Sequence, residues 1–157
     1  MDREIEVLNK MLKGEYMAIG VYDTLASNLP PGSLREDLAS IQKDHERHAQ
    51  ILTDYIRQQG GEPLSSAGMA GSMAEMMSRM KTLVKADEQD IMRQLYDGED
   101  QGLAKAVQYA ERDLGPEARS LVEQIFSDEH DHLKSLERLL QKEANKKLNL
   151  SAEETLN

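Results

Sequence analysis

The stretch VEQIFSDEHDHLKSL, residues 122–136, decides how the chain is read. Val122, Ile125 and Leu136 recur at the three- and four-residue steps that line one face of a helix, and Leu139 continues the series. Positions 129 and 132 complete the same face, and they hold Glu129 and His132. Side chains three apart share a helix face, so both point to the side that the apolar residues bury. An unpaired ionisable group there costs several kcal/mol, so something must compensate the pair.

Three further segments read the same way. Leu29-Pro30-Pro31-Gly32, Gly60-Gly61-Glu62-Pro63 and Gly115-Pro116 are turn signals, and the long segments between them lack internal proline. The predicted helices are 3–29, 33–59, 86–113 and 116–145, each roughly 40 Å long. The first carries Ile5, Leu8, Leu12, Glu15, Ile19, Tyr22, Ala26 and Leu29 on one seam. The second carries Leu34, Leu38, Ile41, His45, His48, Leu52 and Tyr55. The third carries Met92, Leu95, Glu99, Gly102, Ala106 and Tyr109. Asp2 and Ser33 are candidate N-caps, Gly60 a C′ residue, and Pro116 a first-turn proline. One Phe, five Tyr, no Trp and four Pro among 157 residues also favour helices over sheets.

The short turns near 30 and 115 make each flanking pair of helices antiparallel. The link between the second and third helices is about 26 residues, long enough to run the length of a bundle. It would bring the third helix in parallel to the second. The link holds Met69, Met73, Met76 and Met80 at steps of four, three and four, with Met77 and Leu83 nearby. A short amphipathic helix plugging the bundle with adaptable side chains is the favoured reading. A soft-metal or haem site is the alternative. The expected fold is all-α, an antiparallel four-helix bundle over residues 1–146, with a Met-rich crossover helix. Residues 147–157 form a polar C-terminal tail expected to fray.

Glu15, His45, His48, Glu99, Glu129 and His132 thus all replace apolar residues on seams. Their heights agree as well. Glu15 and Glu99 precede their turns by about fifteen residues, and His45 and Glu129 follow theirs by about fifteen. His48 and His132 lie about eighteen beyond. An internal repeat at an offset of 84 maps Glu15 to Glu99, His45 to Glu129 and His48 to His132. It also maps Gly14 to Gly98, Asp44 to Asp128, Ile41 to Ile125 and Leu52 to Leu136. Six ionisable residues are therefore expected in one layer, as two halves about a pseudo-two-fold axis. Carboxylates and imidazoles without thiolates suit iron, manganese or zinc. A Glu from each of two helices with such i, i+3 pairs from the others is a known di-metal arrangement in bundles.

Gly14-Glu15-Tyr16-Met17-Ala18, Asp44-His45-Glu46-Arg47-His48-Ala49, Gly98-Glu99-Asp100 and Glu129-His130-Asp131-His132 give the chain a resemblance to the ferritin-like superfamily. The style is that of its rubrerythrin branch, and small bacterial ferritin-like domains of unknown function are also similar. The resemblance covers the four helices and their link. It implies that Glu15 and Glu99 are terminal carboxylates of the two halves. Glu129 would bridge two metals, and His48 and His132 would each cap one. The family pattern has a second bridging Glu where this chain has His45. The Cys-ligated iron domain of rubrerythrins proper cannot form, because the chain has no Cys.

Asp44 and Asp128 read as surface carboxylates, with orientation of the imidazoles as the alternative. Tyr22 and Tyr109 read as core tyrosines with hydroxyls at the bundle edge, and hydrogen bonding of Tyr22 to a ligand is the alternative. Glu46 and His130 fall off the seams and are expected to be exposed. A net charge of −10, from 29 acidic and 19 basic residues, argues against nucleic-acid binding. No apolar run is long enough to span a membrane, and the charged N-terminus is no secretory signal, so a cytoplasmic protein is expected. Metal ions are the expected partners, and the pattern leaves room for a homodimer. The expected cofactor is iron or manganese at two ions per chain, with zinc as a third candidate. The expected function is a non-haem dinuclear metal protein acting on peroxide or O2, or handling iron. The alternative is a structural or stress-associated helical bundle with a vestigial or single-metal site.

Overall fold

The computed structural model describes residues 2–83 and 85–156, the side chains at 79 and 81–83 excepted. Leu83, named with the methionine stripe, thus has its side chain outside the described set. Helix α1 spans Asp2–Asn28 and α2 spans Ser33–Gln58. A 3-10 turn at Ala67–Met69 leads into α3, Ala70–Leu83. Helix α4 spans Glu88–Asp113 and α5 spans Pro116–Leu156. Among the described residues there is no strand, and no helix is long and apolar enough to cross a membrane.

The helix ends follow local chemistry. Gly60 takes φ 76°, and its N–H donates to Arg57 O while that of Gly61 donates to Ile56 O. These two bonds satisfy the last carbonyls of α2, and a left-handed residue at this place favours glycine. Asp87 caps α4 by accepting from the Gln89 and Asp90 amides. Ser33 corrects its expected role. It is the first helical residue, Gly32 stands at the cap, and no side chain bonds there. Helix α5 corrects its expected end, running to Leu156 rather than 145. Residues 145–156 are exposed. They hold no Gly or Pro and are mostly good helix formers, so polarity keeps them out of the core without stopping the helix. Lys147 Nζ also ties this extension to α4, reaching Asp87 Oδ2 at 2.8 Å and Gln89 Oε1 at 3.0 Å.

Helix α1 packs along α2, and α4 along α5. The start of α1 sits beside the end of α2, where Leu64 N donates to Asn9 Oδ1 at 2.6 Å. It also sits beside the end of α4, where Gly115 N donates to Glu4 Oε2 at 2.7 Å and Arg3 pairs with Asp113. Helix α3 lies against α1. The methionine stripe divides between core and surface. Met69 and Met80 are buried, Met76 packs on the core, and Met77 is exposed with its sulfur accepting from Thr24 Oγ1.

Apolar burial falls into two clusters. One joins Leu8 and Leu12 of α1, Leu52 and Ile56 of α2, and Val122 and Ile125 of α5. The other joins Tyr22 and Leu25, Leu38 and Ile41, Met92 and Leu95, Met80, and Leu136. On every long helix the break between them is filled by ionisable residues. Beyond Glu99 the buried face of α4 continues through Leu103 and Ala110, while Gly102 is exposed. This corrects the expected seam: a four-residue step from Glu99 reaches Leu103, whose apolar side chain takes the buried face in place of Gly102.

Candidate metal centre

All six seam residues are buried, none more than 8 % exposed. They come from four helices: Glu15 from α1, His45 and His48 from α2, Glu99 from α4, Glu129 and His132 from α5. Each helix presents them because it is amphipathic and the apolar residues on either side fix its rotation toward the core.

His48 and His132 are held alike. His48 Nε2 lies 2.9 Å from Asp128 Oδ2, and His132 Nε2 lies 2.9 Å from Asp44 Oδ2. Acid and imidazole sit on opposite helices in both cases, exchanged between α2 and α5. Arg47 joins the two acids, its Nη2 lying 2.9 Å from Asp44 Oδ1 and 3.0 Å from Asp128 Oδ2. With Nε2–H donated outward, each ring turns Nδ1 inward. Both Nδ1 atoms are buried and make no hydrogen bond. His48 Nδ1 is 3.5 Å from Glu15 Oε2 and 3.5 Å from Glu129 Oε1. His132 Nδ1 is 3.8 Å from Glu99 Oε1 and 3.8 Å from Glu129 Oε2.

His45 is held differently. Its Nδ1 lies 2.7 Å from Glu15 Oε2 and its Nε2 lies 2.9 Å from Glu99 Oε1. Both ring nitrogens face carboxylates, so the ring joins α1 to α4 through α2. The Tyr22 hydroxyl donates to Glu99 Oε1 at 2.7 Å, and its ring stacks on His45 with centroids 5.4 Å apart.

Carboxylates set the electrostatics. Burial works against a charged imidazole, but Glu15 and Glu99 outweigh it and raise His45 well above the usual histidine range. Burial is likewise outweighed at His48, raised to about 9 by Glu129 and Glu15, and at His132, raised to about 10 by Glu129 and Glu99. Conversely, the histidines hold Glu15 and Glu99 below the usual carboxylate range despite burial. Glu129 is raised, because burial and the nearby Glu99 charge prevail over His132 and His48. Burial and the Glu99 charge push the Tyr22 phenol well above its ordinary value.

Two overlapping sets of donors result. Glu15, His45, His48 and Glu129 form one, and His45, Glu99, Glu129 and His132 form the other. Within each, one donor atom per residue lies within 4.8 Å of all the rest. The residues present fit a metal ion on two counts. Oxygen and imidazole donors suit iron, manganese or zinc. An imidazole whose outer N–H is tied to a carboxylate, with its other nitrogen free and buried, is oriented as a ligand.

The structure therefore brings together every residue singled out on the seams. It corrects two readings of their neighbours. Asp44 and Asp128 are half-buried partners of the imidazoles rather than free surface carboxylates, because the two helices bring each acid against the opposite histidine. The Tyr22 hydroxyl points to Glu99 rather than the bundle edge, because Tyr22 stands one side of the ionisable layer and its hydroxyl reaches into it. Tyr109 is partly buried against the first cluster. Glu46 and His130 are exposed, as expected. Arg47 lies off the seams, outside the pattern that marks the six. Its position one residue before His48 was the available signal, but a surface arginine has many other uses.

Fold and site define an all-helical protein with buried His/Glu groups that could hold a metal ion. The chain belongs to a family described as a domain of unknown function, DUF2383, whose model matches residues 3–113. The matched span contains Glu15, His45, His48 and Glu99, while Glu129 and His132 lie beyond it. Comparison with curated proteins and with solved structures gives no match.

Proposed function

We propose that this protein is a non-haem metal-binding helical bundle of ferritin-like type, holding iron or manganese between its four long helices. The observation that carries this reading is the pair of buried, unpartnered Nδ1 atoms on His48 and His132. Each is locked by an acid on its outer nitrogen and aimed at carboxylates. A buried polar atom without a partner is costly in a folded protein, and a cation among these groups removes that cost. The helix order and end contacts support an up-down-down-up antiparallel bundle over residues 1–146, with α3 as its Met-rich crossover.

In this reading Glu15, His48 and Glu129 would hold an ion in one half and Glu99, Glu129 and His132 in the other, with His45 standing between them. Iron or manganese in such a setting supplies Lewis-acid and redox chemistry on O2 or peroxide. The chain's own contributions are more specific. Asp128 and Asp44 hold the imidazoles in one tautomer. The flanking apolar clusters exclude water on both sides. The Tyr22 hydroxyl donates to Glu99 Oε1 and limits that oxygen's freedom. Peroxide reduction, oxygen activation and iron oxidation all fall within the chemistry of this donor set.

The test is elemental analysis of untagged protein beside a His48→Ala/Glu99→Ala variant, followed by peroxide and O2 turnover of the loaded form. Retention of iron or manganese, lost in the variant, supports the reading. No uptake after anaerobic loading sinks it.

His45 favours a second reading, a structural bundle without a resident ion. With both ring nitrogens on carboxylates, a protonated His45 already supplies positive charge at the middle of the layer. Stable folding in chelator with no metal retention would select this alternative.

A further inference from the structure

Resting on the metal reading above, we infer that the two halves of the centre are unequal. The half formed by Glu15, His45, His48 and Glu129 is a tight position, and the half formed by Glu99, Glu129 and His132 is a weak, exchangeable one. The inequality follows from the donor atoms. His45 belongs to both four-residue groups. A neutral imidazole has one lone pair and one N–H. It can therefore ligate on one side only, and its other nitrogen remains a hydrogen-bond donor.

The surroundings decide which side. Around His45 Nδ1 the donors converge. Glu15 Oε2 lies at 2.7 Å and Glu129 Oε1 at 3.5 Å. His48 Nδ1 stands 3.5 Å from each of those same oxygens. A carboxylate oxygen lies within hydrogen-bond distance of His45 on each side, and what sets the Nε2 side apart is how that oxygen is engaged. Glu99 Oε1 faces His45 Nε2 at 2.9 Å and also accepts from the Tyr22 hydroxyl at 2.7 Å. That oxygen is thus already engaged by two donors. The remaining nitrogen of this half, His132 Nδ1, is farther out, at 3.8 Å from Glu99 Oε1 and from Glu129 Oε2.

The internal repeat points the same way. Its offset of 84 maps His45 to Glu129 and Tyr22 to Ala106. The repeat is therefore broken at both residues that hydrogen-bond to Glu99 Oε1. Both departures place a hydrogen-bond donor against the same Glu99 oxygen. A lone pair on Nδ1, with Nε2–H and the phenol both donated to Glu99, leaves one half with four donors and the other with three. The weaker half has the more easily replaced ion, or a position that a substrate cation can enter and leave.

The experiment is calorimetric titration of the metal-free full chain with Co2+, with the visible Co2+ absorption recorded in parallel. Wild type should take one ion at least about tenfold more tightly than a second. His132→Gln should keep the tight ion and its spectrum, and His48→Gln should lose it. His45→Glu, which gives the centre a fourth carboxylate able to face both halves, should bring the two affinities together. It also guards against misfolding of His48→Gln, which circular dichroism will reveal. Two equal ions in wild type, or equal losses in His48→Gln and His132→Gln, overturn the inference and leave the metal reading standing. No Co2+ uptake by the wild-type chain overturns both.

Discussion

His48 and Asp128, eighty residues apart, meet across the α2–α5 contact with Nε2 and Oδ2 2.9 Å apart. The bond sets which nitrogen of His48 points into the protein. His132 and Asp44 repeat it in the opposite sense. Asp128→Ala or Asp44→Ala should therefore leave the fold intact while weakening metal binding by about 10- to 100-fold. Competition against a chelator of known affinity measures this. Unchanged affinity in both variants would mean that the acids do not orient the imidazoles for a metal.

Metal affinity should rise with pH. His48 and His132 titrate near 9 and 10 in the metal-free chain, so at neutral pH both hold the proton that an ion must displace. Binding at pH 7 should release protons, which calorimetry in two buffers of different ionisation enthalpy will count. A pH-independent affinity between 6 and 9 would contradict it.

Stability of the metal-free chain should peak across mildly acidic to neutral pH. His48 and His132 have folded values raised above the ordinary 6.5. Their contribution is complete below about 6.5 and fades as pH climbs through about 9 and 10. Glu15 and Glu99 are depressed from 4.5, so their contribution is present above that value and fades on acidification. Melting temperature recorded in chelator across pH 3–10 should trace this dome.

Removing His45 should be more damaging than its size suggests. His45→Ala leaves Glu15 and Glu99 buried without the group between them, a loss of about 3–5 kcal/mol by analogy with broken buried pairs. His45→Gln, which retains a donor, should cost less. Urea unfolding in chelator separates the two, and equal losses would argue that packing rather than charge matters there.

Just past the C-terminal end of α2, Gly60→Ala should destabilise by about 1–2 kcal/mol, because its φ of 76° lies in the left-handed region. The effect should appear in thermal unfolding without change in metal affinity, since Gly60 is remote from the layer.

The sequence carried the six seam positions because each breaks an apolar period, and equal distances from two turns placed them at one height. A rise of 1.5 Å per residue and short loops suffice for that. Asp44, Asp128 and Arg47 were harder. They sit just off the seams, where the same residues serve equally well as solvated charges, and only the sideways approach of α2 and α5 distinguishes the two. Tyr22 was on its seam, but the direction of a hydroxyl is set by side-chain rotation, which periodicity does not encode. The end of α5 is obscured for a different reason. Polar composition removes the need for burial, not the capacity for helix, and no glycine or proline stops the chain there.

The break between the two apolar clusters has a consequence for how the helices align. In a bundle with leucine along every seam, one helix can slide by a heptad and still bury much the same surface. Here a heptad slide of α1 would carry Glu15 away from His45 and His48 and set it among leucines. The stranded charges on both sides would each cost several kcal/mol. Misaligned packings are thus rejected by charge rather than by shape. Six side chains act as a registration key for four helices, and that key works in the chain before any ion arrives.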